Sequence, residues 1–243
     1  MEIYGHRGAK GVAMENSLHG FVLAAEHGVD RFELDIRLSA DDQLVVVHDE
    51  KLKRLANSSL RVSRTPAMTL ANTFLIGLEQ GIPTLEQVVS ACPNIKYWQF
   101  EIKTEFTNTK FIQPLEKLIT DYQLEHKVVI TSKHMGTLKA FKHNLPHIPR
   151  GYVQEFIIPN GLRIAQKLKC SMLIINKTLA RKSYISKAQR KGFHVSIWTV
   201  NDADEMSRLL KYGADSIISD FPQAANHVVT PLLDQMSSMR ASE

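Results

Sequence analysis

Three features of this 243-residue chain predict a (β/α)8 barrel of the α/β class with a small insertion after its second strand. Strand-like and helix-like segments alternate through eight units, which argues for a parallel sheet that closes on itself. The length suits one domain, since such barrels run to about 250 residues as a single unit. Neither G-x-G-x-x-G nor a P-loop pattern is present to favour the competing open, doubly wound sheet.

The elements follow in order. Residues 2–7 read as the first strand. A helix over 16–27 is capped by Asn16 or Ser17, carries Leu18, Phe21, Val22 and Ala25 on one face, and ends at Gly28. Residues 31–37 form the second strand, and after a turn at Asp41-Asp42 a short extended run covers 44–47, outside the count of eight. Thr84 caps a helix that Pro93 closes. Strands then follow at 97–103, 128–131, 150–153, 172–175, 193–199 and 216–219. Helices alternate with them at 108–122, 134–143, 161–168, 180–190, 203–211 and after Pro222. The residues from Met236 onward are expected to fray.

Residues 50–83 break this rhythm and are too long for a simple βα connection. Leu52, Leu55, Met68, Leu70, Phe74 and Leu75 within them need something to pack on. They read as a small insertion that would sit over the C-terminal mouth of the barrel, where active sites form. The whole chain, residues 1–243, is thus expected to be one domain.

With 44% hydrophobic and 23% charged residues, the composition is that of a globular protein with a sizeable core. A net charge of +5 fits an anionic substrate without demanding one. Lys51, Lys53 and Arg54, the densest basic group near the candidate site, read first as a solvated face. No nucleic-acid motif or basic stripe stands out, and no stretch is apolar enough to span a bilayer. Cys92 and Cys170 lack metal-ligand spacing and read as free thiols. With the first strand starting at residue 2 and no signal peptide before it, the expectation is a cytoplasmic protein of open oligomeric state.

The candidate chemistry follows from strand geometry, in which residues two apart share a face. Glu33 and Asp35 would point one way, and Phe32, Leu34 and Ile36 the other. Glu101 and Lys103 would share a face against Phe100 and Ile102. Glu33, Asp35 and Glu101 are hard oxygen donors that suit Mg²⁺, Ca²⁺ or Mn²⁺. The competing reading is ion pairing with Lys103 and Arg7, but three carboxylates outnumber two cations. His6 ends strand one and His48 follows the second strand's extension, so a pair of imidazoles can act as base and acid. Arg7 and Lys103 are the natural phosphate binders, and Gly8 allows the turn that would bring Arg7 to the mouth. Trp198 ends strand seven, where its ring could floor a pocket for a small alcohol moiety. Glu15-Asn16 reads as capping or supporting hydrogen bonding, and Asp49 either orients His48 or caps the insertion.

Together His6-Arg7-Gly8, Glu15-Asn16-Ser17, Phe21 through Gly28, Glu33-Leu34-Asp35, Val47-His48-Asp49, Ile82 through Glu86, Glu101-Ile102-Lys103, Trp198 through Asn201 and Gly213 through Pro222 resemble the glycerophosphodiester phosphodiesterase family. The resemblance spans nearly the whole chain and is weakest over 104–190. It implies a TIM barrel with the 50–83 insertion, and one divalent cation held by Glu33, Asp35 and Glu101. It further implies His6 and His48 as the acid/base pair, and phosphate binding by Arg7 and Lys103. The implied reaction releases sn-glycerol 3-phosphate and an alcohol such as choline or ethanolamine from a small-molecule glycerophosphodiester. Met14 stands where the family usually has Pro, which changes loop stiffness and removes no reacting group, and Lys133 stands where an aromatic residue is common, which bears on head-group preference. The alternatives are a lysophospholipase D on the same site, with an acyl groove placed in 50–83, and a non-catalytic phosphodiester-binding barrel.

Overall fold

The computed structural model describes residues 1–105 and 109–241. Its strands are β1 (Glu2–His6), β2 (Arg31–Leu38), a short β3 (Leu44–Val46), β4 (Tyr97–Ile102), β5 (Val128–Ser132), β6 (Arg150–Gln154), β7 (Met172–Asn176), β8 (His194–Trp198) and β9 (Ser216–Ser219). All except β3 pair in parallel, and the ring closes where β1 meets both β2 and β9. This is the expected eight-stranded barrel. β1 stops at His6, level with Glu33. Further along β2, from Ile36 to Leu38, its hydrogen bonds go to the antiparallel β3. That short strand delivers Val47 and His48 to the C-terminal end of the barrel.

Ten helices accompany the strands among the described residues: α1 (Leu18–Glu26), α2 (Lys53–Ala56), α3 (Ala67–Ala71), α4 (Leu85–Ala91), α5 (Thr109–Asp121), α6 (Met135–Asn144), α7 (Gly161–Lys167), α8 (Lys182–Gln189), α9 (Ala203–Lys211) and α10 (Pro222–Ala241). Ser17, of the two candidates, caps α1 by accepting from the Gly20 N–H. Thr84 and Gln87 cap α4 reciprocally in a capping box. The expected start of α5 at Asn108 lies outside the described residues. α8 begins two residues later than expected, because Asn176 first caps a 3-10 turn over Lys177–Leu179. α10 runs to Ala241, through residues expected to fray.

Strand alternation sorts the two faces as the sequence implies. Phe32, Leu34 and Ile36 of β2 and Trp98, Phe100 and Ile102 of β4 are fully buried against the surrounding helices. Phe32, Trp98 and Phe100 form an aromatic row with centroids 5.8 and 6.0 Å apart, and Phe21 of α1 meets Phe32 edge-on at 5.3 Å. Each such ring contributes about 1.5–3 kcal/mol by burial. This outer packing fixes β2 and β4, and their inward faces are then free to carry charge. Tyr4, Val129, Val153, Met172, Ile174 and Ile218 fill the barrel interior, which is a packed core and not a pore.

The insertion has its own apolar cluster. Leu52, Leu55, Val62, Leu70, Leu75 and Ile82 pack on Val45 and Val47. Met68 and Phe74 depart from the expectation: they are 74% and 55% exposed. Met68 sits on the outer face of the one-turn-and-a-half helix α3, whose Ala67 and Leu70 take the inner face. No residue of 50–83 lines the cavity at the barrel end.

Candidate active site

His6 closes β1, and the backbone then turns sharply. Arg7 has φ +52° and Gly8 φ +89°. At Gly8 a β-carbon would be strained, so glycine makes the turn at low cost. The turn brings Arg7 to the same mouth as His6, as the sequence requires. Its guanidinium reaches Glu15 at 2.7 Å and lies 3.0 Å from Asp35, and its backbone N–H donates to Glu33 Oε2 at 3.2 Å.

The three acids meet. Asp35 and Glu101 are direct cross-strand neighbours, and Glu33 is two residues below Asp35 on the same face. One oxygen from each of Glu33, Asp35 and Glu101 lies within 4.8 Å of the others. Lys103 Nζ stands 2.7 Å from Glu101 and 3.2 Å from Asp35. Burial, together with the charges of Asp35 and Glu101, pushes the Glu33 carboxyl well above its usual range. Burial acts the same way on Asp35, but Lys103, Arg7, His48 and an Asn16 hydrogen bond outweigh it and hold that carboxyl low. Asn16 donates to Asp35 Oδ2 at 2.8 Å, while Glu15 anchors Arg7. The Glu15-Asn16 pair therefore supports the site from behind.

The donor set fits a divalent cation. All three ligands are hard oxygens, Asp35 Oδ1 is buried with Lys103 Nζ at 3.2 Å, and the ion-pair contact of the buried Glu33 among the described residues is His6 Nε2 at 3.9 Å. Glu33, Asp35 and Glu101 are the residues that would hold the ion.

Each histidine is backed by an aspartate on the same ring nitrogen. His6 Nδ1 lies 2.5 Å from Asp220 Oδ1, and His48 Nδ1 lies 2.6 Å from Asp49 Oδ1. In both, Nδ1–H donates to the carboxylate and Nε2 is left for chemistry. Burial pushes the Asp220 carboxyl up, but hydrogen bonds from His6 and Asn201 prevail and hold it at about 2. Burial lowers the His48 imidazole, aided by Lys103 and Arg7 and opposed by Asp35 and Asp49. Asp49 thus orients His48. Arg54 completes the arrangement by donating from Nε to Asp49 and from its two terminal nitrogens to Glu15. It belongs to the basic group first read as a solvated face, of which Lys51 and Lys53 remain so.

The cavity at the mouth measures about 80 Å³ and is lined among others by His6, His48, Glu101, Lys103, Lys133 and Trp198. Trp198 is half-buried there, with its indole N–H unpaired. The structure therefore brings together every site residue singled out from the sequence. Sequence reasoning missed Asp220, Arg54, Arg37 and Gln99. Asp220 directly follows β9 in Ser219-Asp220-Phe221-Pro222, and an acid immediately after a barrel strand is itself a signal. Arg37 Nε donates to the His48 carbonyl at 2.8 Å and fixes that segment. Gln99 faces the same cavity, one step below Glu101, and is fully buried with neither amide atom hydrogen-bonded.

A closed barrel whose ionisable side chains gather at the carboxyl ends of its strands places this chain among the (β/α)8 enzymes. More narrowly, the chain belongs to the glycerophosphoryl diester phosphodiesterase family, whose model matches residues 6–224. It is similar to a glycerophosphodiester phosphodiesterase of Bacillus altitudinis, 29% identical over 237 residues that cover 92% of this chain and 96% of that protein. It is 25% identical over 261 residues to a lysophospholipase D of Homo sapiens, covering 89% of this chain and 82% of that one. Among solved structures, an Oleispira antarctica phosphodiesterase in complex with its product sn-glycerol-3-phosphate has the same fold. Its TM-score is 0.88 at 24% identity, over 95% of this chain and 97% of that one.

Proposed function

We propose that this enzyme hydrolyses glycerophosphodiesters such as glycerophosphocholine or glycerophosphoethanolamine, releasing sn-glycerol 3-phosphate and an alcohol. The observation that carries this reading is one cavity bordered by both aspartate-backed histidines and by the Glu33 and Glu101 carboxylates, with an Asp35 oxygen within 4.8 Å of theirs. Arg7 and Lys103 bind the phosphodiester anion, and Trp198 floors the space beside it. One imidazole takes a proton from the nucleophile at Nε2 while the other gives a proton to the leaving alcohol. Asp220 and Asp49 stabilise whichever ring is charged. Glu33, Asp35 and Glu101 would hold Mg²⁺, Ca²⁺ or Mn²⁺, which would supply Lewis-acid stabilisation of negative charge on the phosphodiester. The nucleophile is water or the neighbouring glycerol hydroxyl, and trapping of a cyclic phosphate under slow turnover separates the two.

Residues 1–243 are read as one functional unit, barrel plus insertion. The unpaired thiols Cys92 and Cys170 fit a cytoplasmic setting. No helix among the described residues is long and apolar enough to cross a membrane.

The test is release of glycerol 3-phosphate from glycerophosphocholine with Mg²⁺, Ca²⁺ or EDTA, for the wild type, His6→Ala and His48→Ala. Metal-dependent release that is lost in both variants is the expected result. Full turnover in either histidine variant would remove that residue from the mechanism. The lysophospholipase D relative makes an acylated substrate the second reading, and an apolar groove beside the cavity favours it.

A further inference from the structure

An ion pair stands at the opening of the catalytic cavity. Lys133 and Glu155 line the cavity together with His6, Arg7, His48 and Lys103, and both also line an adjoining groove of about 370 Å³. Lys133 Nζ donates to Glu155 Oε2 at 3.4 Å. Strand register explains the placement. Glu101 of β4 is level with Thr131 of β5, and Thr131 with Gly151 of β6. Lys103 and Lys133 are therefore equivalent positions, each two residues past that level on the inward face. Glu155 lies four residues past Gly151, further out again. Charge thus steps outward from the phosphate-binding Lys103 to Lys133 and then to Glu155.

The backbone that carries the pair is pinned. Ser132 Oγ donates to the Ile102 carbonyl at 2.8 Å and accepts from the His134 N–H at 3.1 Å, which holds the chain on either side of Lys133. Gln154 Nε2 donates to the Phe156 carbonyl at 3.0 Å, and Tyr184 donates to Gln154 Oε1 at 2.6 Å, which does the same around Glu155. The pair itself is loosely held. The two side chains are 51% and 38% exposed, and neither has a second ion-pair partner among the described residues. An exposed pair of this kind contributes little, so a ligand can open it at small cost. Arg7 and Lys103 differ, since Arg7 is held by Glu15 and Asp35, and Lys103 by Asp35 and Glu101.

A glycerophosphodiester has two arms. The glycerol arm is neutral and offers nothing to a pair of opposite charges; a charged head group does. Choline or ethanolamine brings a cation alone, which can approach Glu155 but leaves Lys133 unpaired beside a second positive charge. A serine head group brings an ammonium for Glu155 and a carboxylate for Lys133. Each ion of the pair then exchanges one partner for another and none is left over. Glu105 and His134, 4.0 Å apart, also line the adjoining groove, so its surroundings are of mixed charge as well.

We infer that Lys133 and Glu155 select the head group, and that the preferred substrates are glycerophosphodiesters whose alcohol carries both an ammonium and a carboxylate, glycerophosphoserine being the simplest. The inference rests on the phosphodiesterase reading of the cavity. The chemistry at phosphorus is unchanged: the P–O bond to the head group breaks, serine leaves as the alcohol with the proton that the imidazole gives it, and sn-glycerol 3-phosphate is again the product.

Release of sn-glycerol 3-phosphate reads every head group on one scale. In Mg²⁺ or Ca²⁺, kcat and KM are measured on glycerophosphoserine, glycerophosphocholine and the neutral glycerophosphoglycerol, for the wild type, Lys133→Met, Lys133→Arg and Glu155→Gln. Melting temperatures show which variants are folded. The wild type is expected to favour glycerophosphoserine about fivefold or more in kcat/KM, mainly through KM. Lys133→Met should bring the serine-to-choline ratio close to one, and Lys133→Arg should keep the preference. Glu155→Gln should lower the serine-to-glycerol ratio. A wild type that cleaves glycerophosphocholine or glycerophosphoglycerol as well as glycerophosphoserine overturns the inference, needs no variant to do so, and leaves the phosphodiesterase reading standing. A serine preference that survives in folded Lys133→Met overturns it too. No cleavage of any of the three substrates defeats the underlying reading as well.

Discussion

Replacing Asp220 by Asn tests the site through a residue that need not touch substrate. Asp220 uses both oxygens: Oδ1 accepts from His6 at 2.5 Å and Oδ2 accepts from Asn201 Nδ2 at 2.8 Å. An asparagine has one acceptor, so it cannot satisfy both. If its carbonyl faces His6, its amide meets the Asn201 amide, donor against donor. If it turns round, its N–H₂ faces His6 Nδ1 and favours the tautomer with the proton on Nε2, the nitrogen needed for chemistry. Either way an imidazolium at His6 loses a charge-assisted hydrogen bond, worth about 1.5–3 kcal/mol. At about 1.4 kcal/mol per tenfold, kcat falls by about 10- to 150-fold. The Asp220 side chain is only 18% exposed, so solvent screening trims this modestly. The assay is glycerophosphocholine turnover across pH, with the His6 imidazole followed by NMR. Wild-type kcat with an unchanged pH profile would refute the pairing as a working part of the site.

Further outcomes follow from the same geometry. Mg²⁺, Ca²⁺ or Mn²⁺ at about 100 times its Kd should add about 2.7 kcal/mol to stability and raise Tm by about 5–10 °C, and Glu101→Gln should remove most of that shift; no shift with any of the three ions contradicts the ligand set. Burial and the cations Lys103 and Arg7 depress His48, so the folded protein resists a proton that the unfolded chain accepts. That contribution is present above the ordinary imidazole value and is lost as pH falls toward the lowered one. The acid limb of kcat/KM for neutral His48 should therefore lie below about 6.5 and move up in Lys103→Met; a limb above that value in the wild type would falsify the assignment. Leu70→Ala, at a fully buried position of the insertion cluster, should cost about 2–4 kcal/mol in denaturant unfolding, and a cost under about 1 would mean the cluster collapses around the gap.

The barrel was legible because strand alternation and the spacing of turns are local properties of the chain. So were Glu33, Asp35 and Glu101, since a two-residue period in two strands suffices to put acids on one face. His6 and His48 were legible from their places at strand ends. The support around them was not. Asp220 is 214 residues from His6 in the chain, and only barrel closure makes them neighbours. Arg54 looked like surface because its neighbours Lys51 and Lys53 are surface; its reach to Glu15 and Asp49 depends on how the insertion leans on β3. That no residue of 50–83 lines the cavity was not legible for the same reason, since the insertion packs on Val45 and Val47.

Arg54 gives the two halves of the site different thermal lives. His6, Glu33, Asp35, Glu101 and Lys103 are carried by the closed ring or its immediate ends, which comes apart only when the barrel melts. His48 is oriented by Asp49, and Asp49 is gripped by a side chain from a four-residue helix in a satellite cluster. Small satellites open at lower free energy than the body they rest on. On warming, the insertion is expected to let go first and His48 to lose its orientation, while Glu33, Asp35, Glu101 and His6 stay assembled. The expected outcome is turnover of glycerophosphocholine that falls below the melting temperature and returns on cooling, and turnover that persists up to the melting temperature would contradict it.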